Sequence, residues 1–439
     1  MTLRKYPGDL LLLGLFLLPV VVVAPALPWG SQGWLYSLAE LAGVFALSAF
    51  LLAGMLSARI PGTDPWFGGL VRLWTIHRWL GFSAFMLVMA HVLLLALATL
   101  PMSLGTSVAT LFPPLSHWEV WVGWAAFLTM LVFIAPTLGF FGTLHYQNWK
   151  RLHLLSAPAL VLALVHTLML SATAWVWWLL SALALAAIAW RKLLSPRLAT
   201  KPYVVDGTDQ LARDVVELRL RPKGKGIRWQ AGQFVYLTPM DSSLVAGYRE
   251  EHPYTIASGS GDDELKIGIK AVGDATRALL DIKPGAEVRI EGPYGTFFEN
   301  AALAQKGTGL PGEPRKQLWL AGGIGITPFV AGARDRVGNT VAQGPDACLF
   351  YLANRPERAY YLDELVRIAE ACDGFEVHTH YMNEHGVITR DYLAERCPDF
   401  AEREVYLCGP PGMINHLQTL LRHEGVPAHR IHTEAFDFL

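Results

Sequence analysis

The sequence predicts a multidomain membrane protein. An all-α bundle of six transmembrane helices leads into an antiparallel β-barrel, which leads into an α/β domain on a parallel sheet. Three observations carry this expectation. Residues 1–200 hold six long apolar stretches but only ten Lys/Arg and four Asp/Glu. Residues 202–298 read as short alternating strands with turn signals. From 317 onward, strands and helices alternate. The chain has 439 residues, 52% hydrophobic and 17% charged, which is too apolar for a disordered chain. Its net charge of −1 splits into +6 over residues 1–200 and −7 over the rest. No basic stripe appears, which argues against nucleic acid as a partner. Cys348, Cys372, Cys397 and Cys408 all lie in the second half. Their unpaired spacing speaks against a disulfide framework or a zinc site and suits a reducing compartment.

The expected boundaries are 1–195 for the membrane bundle, 196–300 for the barrel, 301–316 for a Gly/Pro-rich linker and 317–439 for the α/β domain. The apolar stretches fall near 9–28, 34–58, 71–99, 118–143, 149–170 and 173–191. Most are long enough to cross about 30 Å of hydrocarbon. One set of connections carries Arg4, Lys5, Arg59, Arg72, Lys150, Arg151, Arg191, Lys192 and Arg197. The connections near 29–33, 100–117 and 171–174 carry neither Lys nor Arg. This is a positive-inside pattern with both termini and the polar half in the cytoplasm. Arg4, Lys5, an apolar run and Ala24-Pro25-Ala26 also resemble a signal peptide. The apolar run continues toward Trp29, which favours an uncleaved span.

Histidine is the informative residue of the bundle. The third span carries His77 and His91, the fifth His153 and His166. Separations of fourteen and thirteen residues are roughly 20 Å along a helix. Both spans run in the same direction, so His77 lies level with His153 and His91 with His166. Two stacked pairs suit two bis-imidazole b-type haems. Imidazole on both faces leaves no open iron position, as electron transfer requires. Packing histidines are the plainer alternative, but four at matched depth weaken it. Thirteen residues miss the same helical face by about 140°, and Pro158 is the residue that could rewind the helix. Arg72, Arg78, Lys150 and Arg151 could meet haem propionates or simply set topology. Glu40 is an ionisable group within the second span. Phe82 and Phe85 lie between the histidine levels, where core packing is the plainer reading.

In the second half, Asp214–Arg221, Gly232–Pro239, Tyr254–Ser258, Glu264–Val272 and Glu287–Gly292 read as barrel strands. Gln317–Ala321, Ala347–Ala353, Phe375–Tyr381 and Glu404–Cys408 read as strands of a parallel nucleotide-binding domain. GGIGITP at 322–328 ends a strand in glycines and opens a helix at Thr327 and Pro328, a place that favours phosphate. Asn354-Arg355 follows the next strand where an acidic residue would take a ribose hydroxyl. Arg355 suits a 2′-phosphate, favouring NADPH, with NADH the alternative.

HPYTIAS (252–258), GDAT (273–276), GPYG (292–295), GGIGITP (322–328), CGPPGM (408–413) and HTEAF (432–436) stand in that order. The second half resembles the ferredoxin–NADP reductase architecture. With the haem histidines, the whole chain resembles a compact prokaryotic member of the NADPH oxidase and ferric reductase superfamily. The resemblance implies FAD in the barrel and NADPH in the α/β domain. It places Tyr254 and Thr255 against the flavin ring, with His252, Pro253 and Ser258 completing that strand's contacts. It puts Gly273 and Thr276 at the FAD pyrophosphate. Gly322, Gly323, Gly325, Thr327 and Pro328 would hold the nucleotide pyrophosphate. Cys408, Gly409 and Pro410 would border the nicotinamide, and Phe436 would cover the flavin. Thr255, Cys408 and Phe436 are the expected catalytic residues, and His77, His91, His153 and His166 the metal ligands.

The expected activity is electron transfer from cytoplasmic NADPH through FAD and two b haems to an acceptor outside a bacterial inner membrane. Dioxygen giving superoxide ranks first, a ferric chelate second, and a quinone or periplasmic partner third. Leu95 stands where eukaryotic oxidases carry a further histidine, which weakens the superoxide reading. A non-enzymatic haem-binding anchor or sensor is the rival class. The lipid bilayer is the expected surrounding, and no obligatory protein partner is evident.

Overall fold

The computed structural model describes residues 6–30, 33–138, 146–298, 316–338 and 345–434. His145, Phe436 and the linker up to residue 315 lie outside the described residues. The chain forms two compact units. One holds the apolar half, and the other holds residues 61–69 together with 197–438.

Among the described residues, six segments are long and apolar enough to cross a membrane, and the first unit holds them but for the last two residues of the sixth: Pro7–Ala26, Trp34–Leu56, Leu70–Thr99, Trp118–Thr137, Asn148–Leu170 and Ala174–Leu198. Its helices are α1 (Pro7–Val23), α2 (Trp34–Leu56), α3 (Leu70–Thr99), α4 (Leu104–Leu111), α5 (Trp118–Ile134), α6 (Tyr146–His153), α7 (Ser156–Leu170) and α8 (Ala174–Ala189). A π turn over Trp190–Leu194 extends the last of them. The short α4 was not expected between residues 100 and 117. Ser103 nucleates it by accepting from the Thr106 N–H at 2.9 Å, a local cap that hydropathy does not register.

Helix α2 is the most enclosed of the six spans. Its buried face mixes Val44, Leu47, Leu51 and Leu52 with many small residues: Ala39, Ala42, Ala46, Ser48, Ala49 and Ala53. Small residues let neighbouring backbones approach closely, which is how helices pack where lipid removes the hydrophobic drive. Leu93, Leu97, Leu128, Val161, Trp175 and Trp178 face outward on other helices, an apolar surface suited to lipid. Arg72 pairs with the buried Asp9 at 2.6 Å, joining the first turns of α1 and α3. Its guanidinium also lies over the Tyr6 ring, 4.9 Å from the centroid.

The fifth span is broken between α6 and α7. Leu154, Leu155 and Ala157 donate to residues three back, at 3.2, 3.0 and 3.2 Å. Pro158 lacks the N–H that would reach the Leu154 carbonyl, so the Ala157 N–H takes it instead. Tighter turns advance each residue further around the axis. This rewinding supplies rotation that thirteen residues of ideal helix lack.

In the second unit, β1 (Thr200–Ala212), β2 (Val215–Pro222), β3 (Phe234–Pro239), β4 (His252–Thr255), β5 (Leu265–Lys270) and β6 (Glu287–Tyr294) form an antiparallel sheet. Its order is β4-β3-β6-β1-β2-β5, and an Ile256–Ile267 bridge joins its ends into a small barrel. Val205, Leu218, Val235, Ile256, Ile267 and Ile290 fill its core. β1 was not among the expected strands. Its Asp206-Gly207 reads as a turn but forms a bulge. A side chain at Gly207 would strike the Arg219 guanidinium.

Strands β7 (Gln317–Gly322), β8 (Ala347–Ala353), β9 (Phe375–Tyr381), β10 (Glu404–Cys408) and β11 (Ile431–Glu434) make a parallel sheet of order β11-β10-β7-β8-β9. The chain moves outward from β7 to β9, then returns to β10 on the other side. The crevice between the carboxyl ends of β7 and β10 is therefore the topological switch point, where such sheets bind ligands.

Candidate functional site

In the membrane unit the four histidines form the two expected pairs. The His77 and His153 ring centroids lie 6.2 Å apart, and those of His91 and His166 6.5 Å apart. His77 Nδ1 lies 2.8 Å from the Ala53 carbonyl. His91 Nδ1 lies 2.7 Å from that of Ala39, and His166 Nδ1 2.8 Å from that of Glu119. A carbonyl only accepts, so each Nδ1 carries the proton and each Nε2 keeps its lone pair. Metal-binding imidazoles are oriented in this way. His153 Nδ1 is buried without a hydrogen bond. Its ring stacks on Trp149 at 5.1 Å and meets Phe133 edge-on at 5.5 Å.

Two glycines that sequence reading passed over make room for the outer pair. A Cβ at Gly43 would lie 3.1 Å from His91 Nδ1, and one at Gly123 2.7 Å from His166 Nδ1. A lone glycine inside an apolar helix was the available signal. Phe85 is core, stacked on Phe127 at 6.1 Å, while Phe82 is exposed. The donor set, its tautomers and the space around the rings fit two bis-histidine haems.

In the second unit β4 presents His252, Pro253, Tyr254 and Thr255. The Tyr254 hydroxyl, Thr255 Oγ1 and His252 Nε2 are buried without hydrogen bonds. Orphaned polar atoms gathered on one strand fit a polar ring laid against it. Ser258 differs: its hydroxyl accepts from the Lys266 N–H at 3.1 Å and so serves the barrel. Thr276 Oγ1 accepts from the Val272 and Gly273 N–H groups at 2.9 Å, closing the turn before the helix Asp274–Ala278.

At the switch point the glycines divide by role. A Cβ at Gly322 would strike Met413 Sδ at 2.4 Å, one at Gly325 the Cys408 carbonyl at 2.5 Å, and one at Gly409 Met413 Cε at 2.6 Å. These three let the GGIGITP and CGPPGM loops pack on each other. Pro410 lies in the same contact, against Gly322. Gly323, at φ +55°, faces open space and leaves backbone accessible. Thr327 donates to the Ile324 carbonyl at 3.0 Å, holding the turn before the helix Thr327–Gly338. Pro328 follows it in the first turn of that helix.

Sequence reading missed Glu434, although it quoted HTEAF. Glu434 pairs in register with Cys408 across β10 and β11. A Cβ at Gly295 of GPYG would lie 3.5 Å from its Oε1. Burial pushes the Glu434 carboxyl up to about 8. Burial, reinforced by Glu434, holds the Cys408 thiol well above its usual range. Asp64 was also missed. It belongs to the segment joining α2 to α3, and its Oδ2 accepts from the buried Gly295 N–H at 2.9 Å. Arg355 is exposed past the end of β8. Arg358 instead pairs with Asp214, and its hydrogen bond holds that carboxyl below the usual range.

A barrel strand of orphaned polar groups, a glycine-lined switch point and a bundle of long apolar helices define a membrane-embedded NAD(P)H-dependent flavin oxidoreductase. Comparison with known families agrees over three segments. Residues 42–164 match the ferric reductase like transmembrane component. Residues 205–297 match an FAD-binding domain, and 319–419 an oxidoreductase NAD-binding domain. The chain has the domain architecture of the NADPH oxidase and ferric reductase superfamily, a ferric reductase transmembrane domain fused to FAD-binding and NAD-binding domains. It is an NAD(P)H-dependent flavin oxidoreductase that carries a ferric reductase-like transmembrane domain.

Among similar proteins, the reductase component of propane 2-monooxygenase from Mycolicibacterium smegmatis is 30% identical over 250 residues. The match takes in 53% of this chain and 66% of that protein. A probable dihydroorotate dehydrogenase B (NAD(+)) electron transfer subunit from Methanopyrus kandleri is 32% identical, over 51% of this chain and 75% of that protein. The flavohemoglobin structure from Malassezia yamatoensis aligns over 92% of this chain and 96% of its own. Its TM-score is 0.50 at 19% identity, a likeness of fold alone.

Proposed function

We propose that the chain carries electrons from NADPH across the bilayer to an acceptor on the far side, with dioxygen, giving superoxide, as the first acceptor. A ferric chelate is the alternative. The observation that carries the reading is the two histidine pairs at separate levels of one bundle. FAD and two b haems, when bound, supply redox carriers that turn a two-electron donor into one-electron steps. The balance is NADPH plus two dioxygen, giving NADP⁺, a proton and two superoxide.

The residues have separable tasks. His77 and His153 hold the inner iron, and His91 and His166 the outer. The carbonyls of Ala53, Ala39 and Glu119 fix their tautomers. Tyr254 and Thr255 line the flavin ring, with His252 and Pro253 beside them. Gly273 and Thr276 form the turn that takes the FAD pyrophosphate. Gly323 leaves room for the dinucleotide, and the helix beginning at Thr327 and Pro328 favours its phosphates. Cys408, Gly409 and Pro410 border the nicotinamide. Glu434 holds a proton beside them. Arg355 takes the 2′-phosphate, since Arg358 is paired. The basic connections support a cytoplasmic position for this module, on the inner side of a bacterial inner membrane.

The test is cytochrome c reduction by the purified chain with FAD, NADPH and air, with and without superoxide dismutase. Abolition by dismutase is expected. Reduction that persists with dismutase present transfers the assignment to a direct reductase of ferric chelates or a redox partner.

A further inference from the structure

The cysteine spacing speaks against a zinc site, yet the sheet register assembles donors that the spacing conceals. β8 and β9 pair so that Cys348 lies opposite Glu376 and Phe350 opposite His378. Side chains two apart share a face, so Cys348, Glu376 and His378 gather on one side. The Cys348 Sγ, a Glu376 carboxylate oxygen and a His378 ring nitrogen all lie within 4.8 Å of one another. From the other side, the helix Arg390–Arg396 ends at Cys397. The Cys397 thiol lies beside that of Cys348. Both cysteines are 2% exposed. His378 Nε2 is buried without a hydrogen bond and lies 3.4 Å from Glu376 Oε2. Its ring is backed by Phe350 at 5.1 Å.

We propose that Cys348, Cys397, His378 and Glu376 form a structural zinc site that ties the edge strand β9 to the end of the helix Arg390–Arg396. Two sulfurs, one imidazole and one carboxylate are a tetrahedral donor set for zinc. A set with a single carboxylate does not suit magnesium or calcium, which demand mostly oxygen. All four positions come from protein, so none stays open for chemistry. Binding converts two thiols to thiolates and releases both protons to solvent. With Glu376 the ligands carry three negative charges against two on the metal. Arg403 lies near both sulfurs and balances the excess. Its Nε pairs with Asp399 at 2.7 Å, and Asp399 in turn accepts from Cys397 Sγ at 3.4 Å. The exposed Glu376 provides the route in. The cluster sits at the amino ends of β8 and β9, whereas Gly322 and Cys408 end their strands. The site is therefore separate from the hydride-transfer crevice.

The experiment uses the full chain with haem and flavin bound, untagged, kept reduced and loaded with zinc ion alone, then freed of loose metal on a chelating resin. The expected result is one tightly held zinc per chain by elemental analysis. X-ray absorption at the zinc edge should show two sulfurs at about 2.3 Å with one nitrogen. Cys348→Ser and His378→Ala should lose that zinc, and the zinc-dependent rise in melting temperature should vanish with it. Haem and flavin absorbance and NADPH oxidation should persist in both, showing that they are folded. His385→Ala, in the histidine-lined cleft beside the site, should leave the zinc in place. A wild-type chain holding far less than one zinc overturns the proposal, as does an oxygen or nitrogen shell without sulfur. Loss of the zinc in His385→Ala but not in Cys348→Ser overturns it equally.

Discussion

Glu434 shows how one residue can escape a motif that contains it. Sequence reading quoted HTEAF for its aromatic residue, because an aromatic near a flavin is easy to picture. The structure buries the glutamate beside Cys408 and Gly295 and gives its Oε2 no hydrogen bond. Its carboxyl rises from an ordinary 4.5 to about 8. Between those values the folded chain holds a proton that the unfolded chain has released. Stability contributed by this group is therefore full below about pH 4.5 and is lost as pH rises through about 8. Protonated, the carboxyl can donate toward a bound nicotinamide; ionised, it repels electron-rich partners. Stopped-flow reduction of bound FAD by NADPH, measured on both sides of pH 8, should slow as the proton leaves. Glu434→Gln should flatten both that profile and the corresponding slope in melting temperature. A wild-type rate that is level through pH 8 would remove Glu434 from the hydride step.

At the level of elements, two helices meet at a missing side chain. Gly123 of α5 lies against the His166 ring of α7. An added methyl would come within 2.7 Å of Nδ1 and 2.8 Å of Cε1, and a buried overpack of this kind costs about 1–3 kcal/mol. His166 is also held by the Glu119 carbonyl one turn earlier on α5, so the ring has little freedom to retreat. Gly123→Ala should cut haem content from two per chain toward one, read as pyridine haemochromogen against protein. The inner pair should keep its spectrum. Retention of two haems in the variant would argue that the outer ring has slack. The same elements show what was legible in the sequence. Histidine depth was legible, because rise per residue is fixed. Facing was not, because it depends on the break at Leu154 and Leu155, set by which N–H fills in for Pro158. Strands β7, β8 and β10 were legible as apolar runs buried on both faces, and the polar edge strand β9 by its place in the alternation of strands and helices. β1 was hidden by Pro202 and Asp206-Gly207, since its ladders to β2 and β6 outweigh local turn preference. The cysteine cluster was hidden because its members meet only through strand pairing and a helix end.

For the whole molecule, the question is whether the two units make one continuous circuit. The second unit carries the FAD-binding and NAD-binding domains. The membrane unit contains two histidine levels roughly 20 Å apart along its helices. If electrons use both levels in series, removing either should stop passage across the bilayer while leaving flavin reduction alone. The full chain in sealed vesicles, with its soluble unit outside and ferricyanide trapped inside, separates these events. Wild-type protein supplied with external NADPH should reduce the trapped acceptor. His91→Ala or His166→Ala should lower that rate to the background of empty vesicles, and flavin bleaching should be retained. His77→Ala should do the same from the other level. Passage also moves charge. A potential positive inside the vesicle favours inward electron flow by about 2.3 kcal/mol per 100 mV. An imposed potassium gradient of that sign should therefore speed reduction of the trapped acceptor, and the reverse gradient should slow it. Equal rates under both gradients, or full activity without His91 and His166, would mean that electrons leave from the module side and that the bundle is not their route.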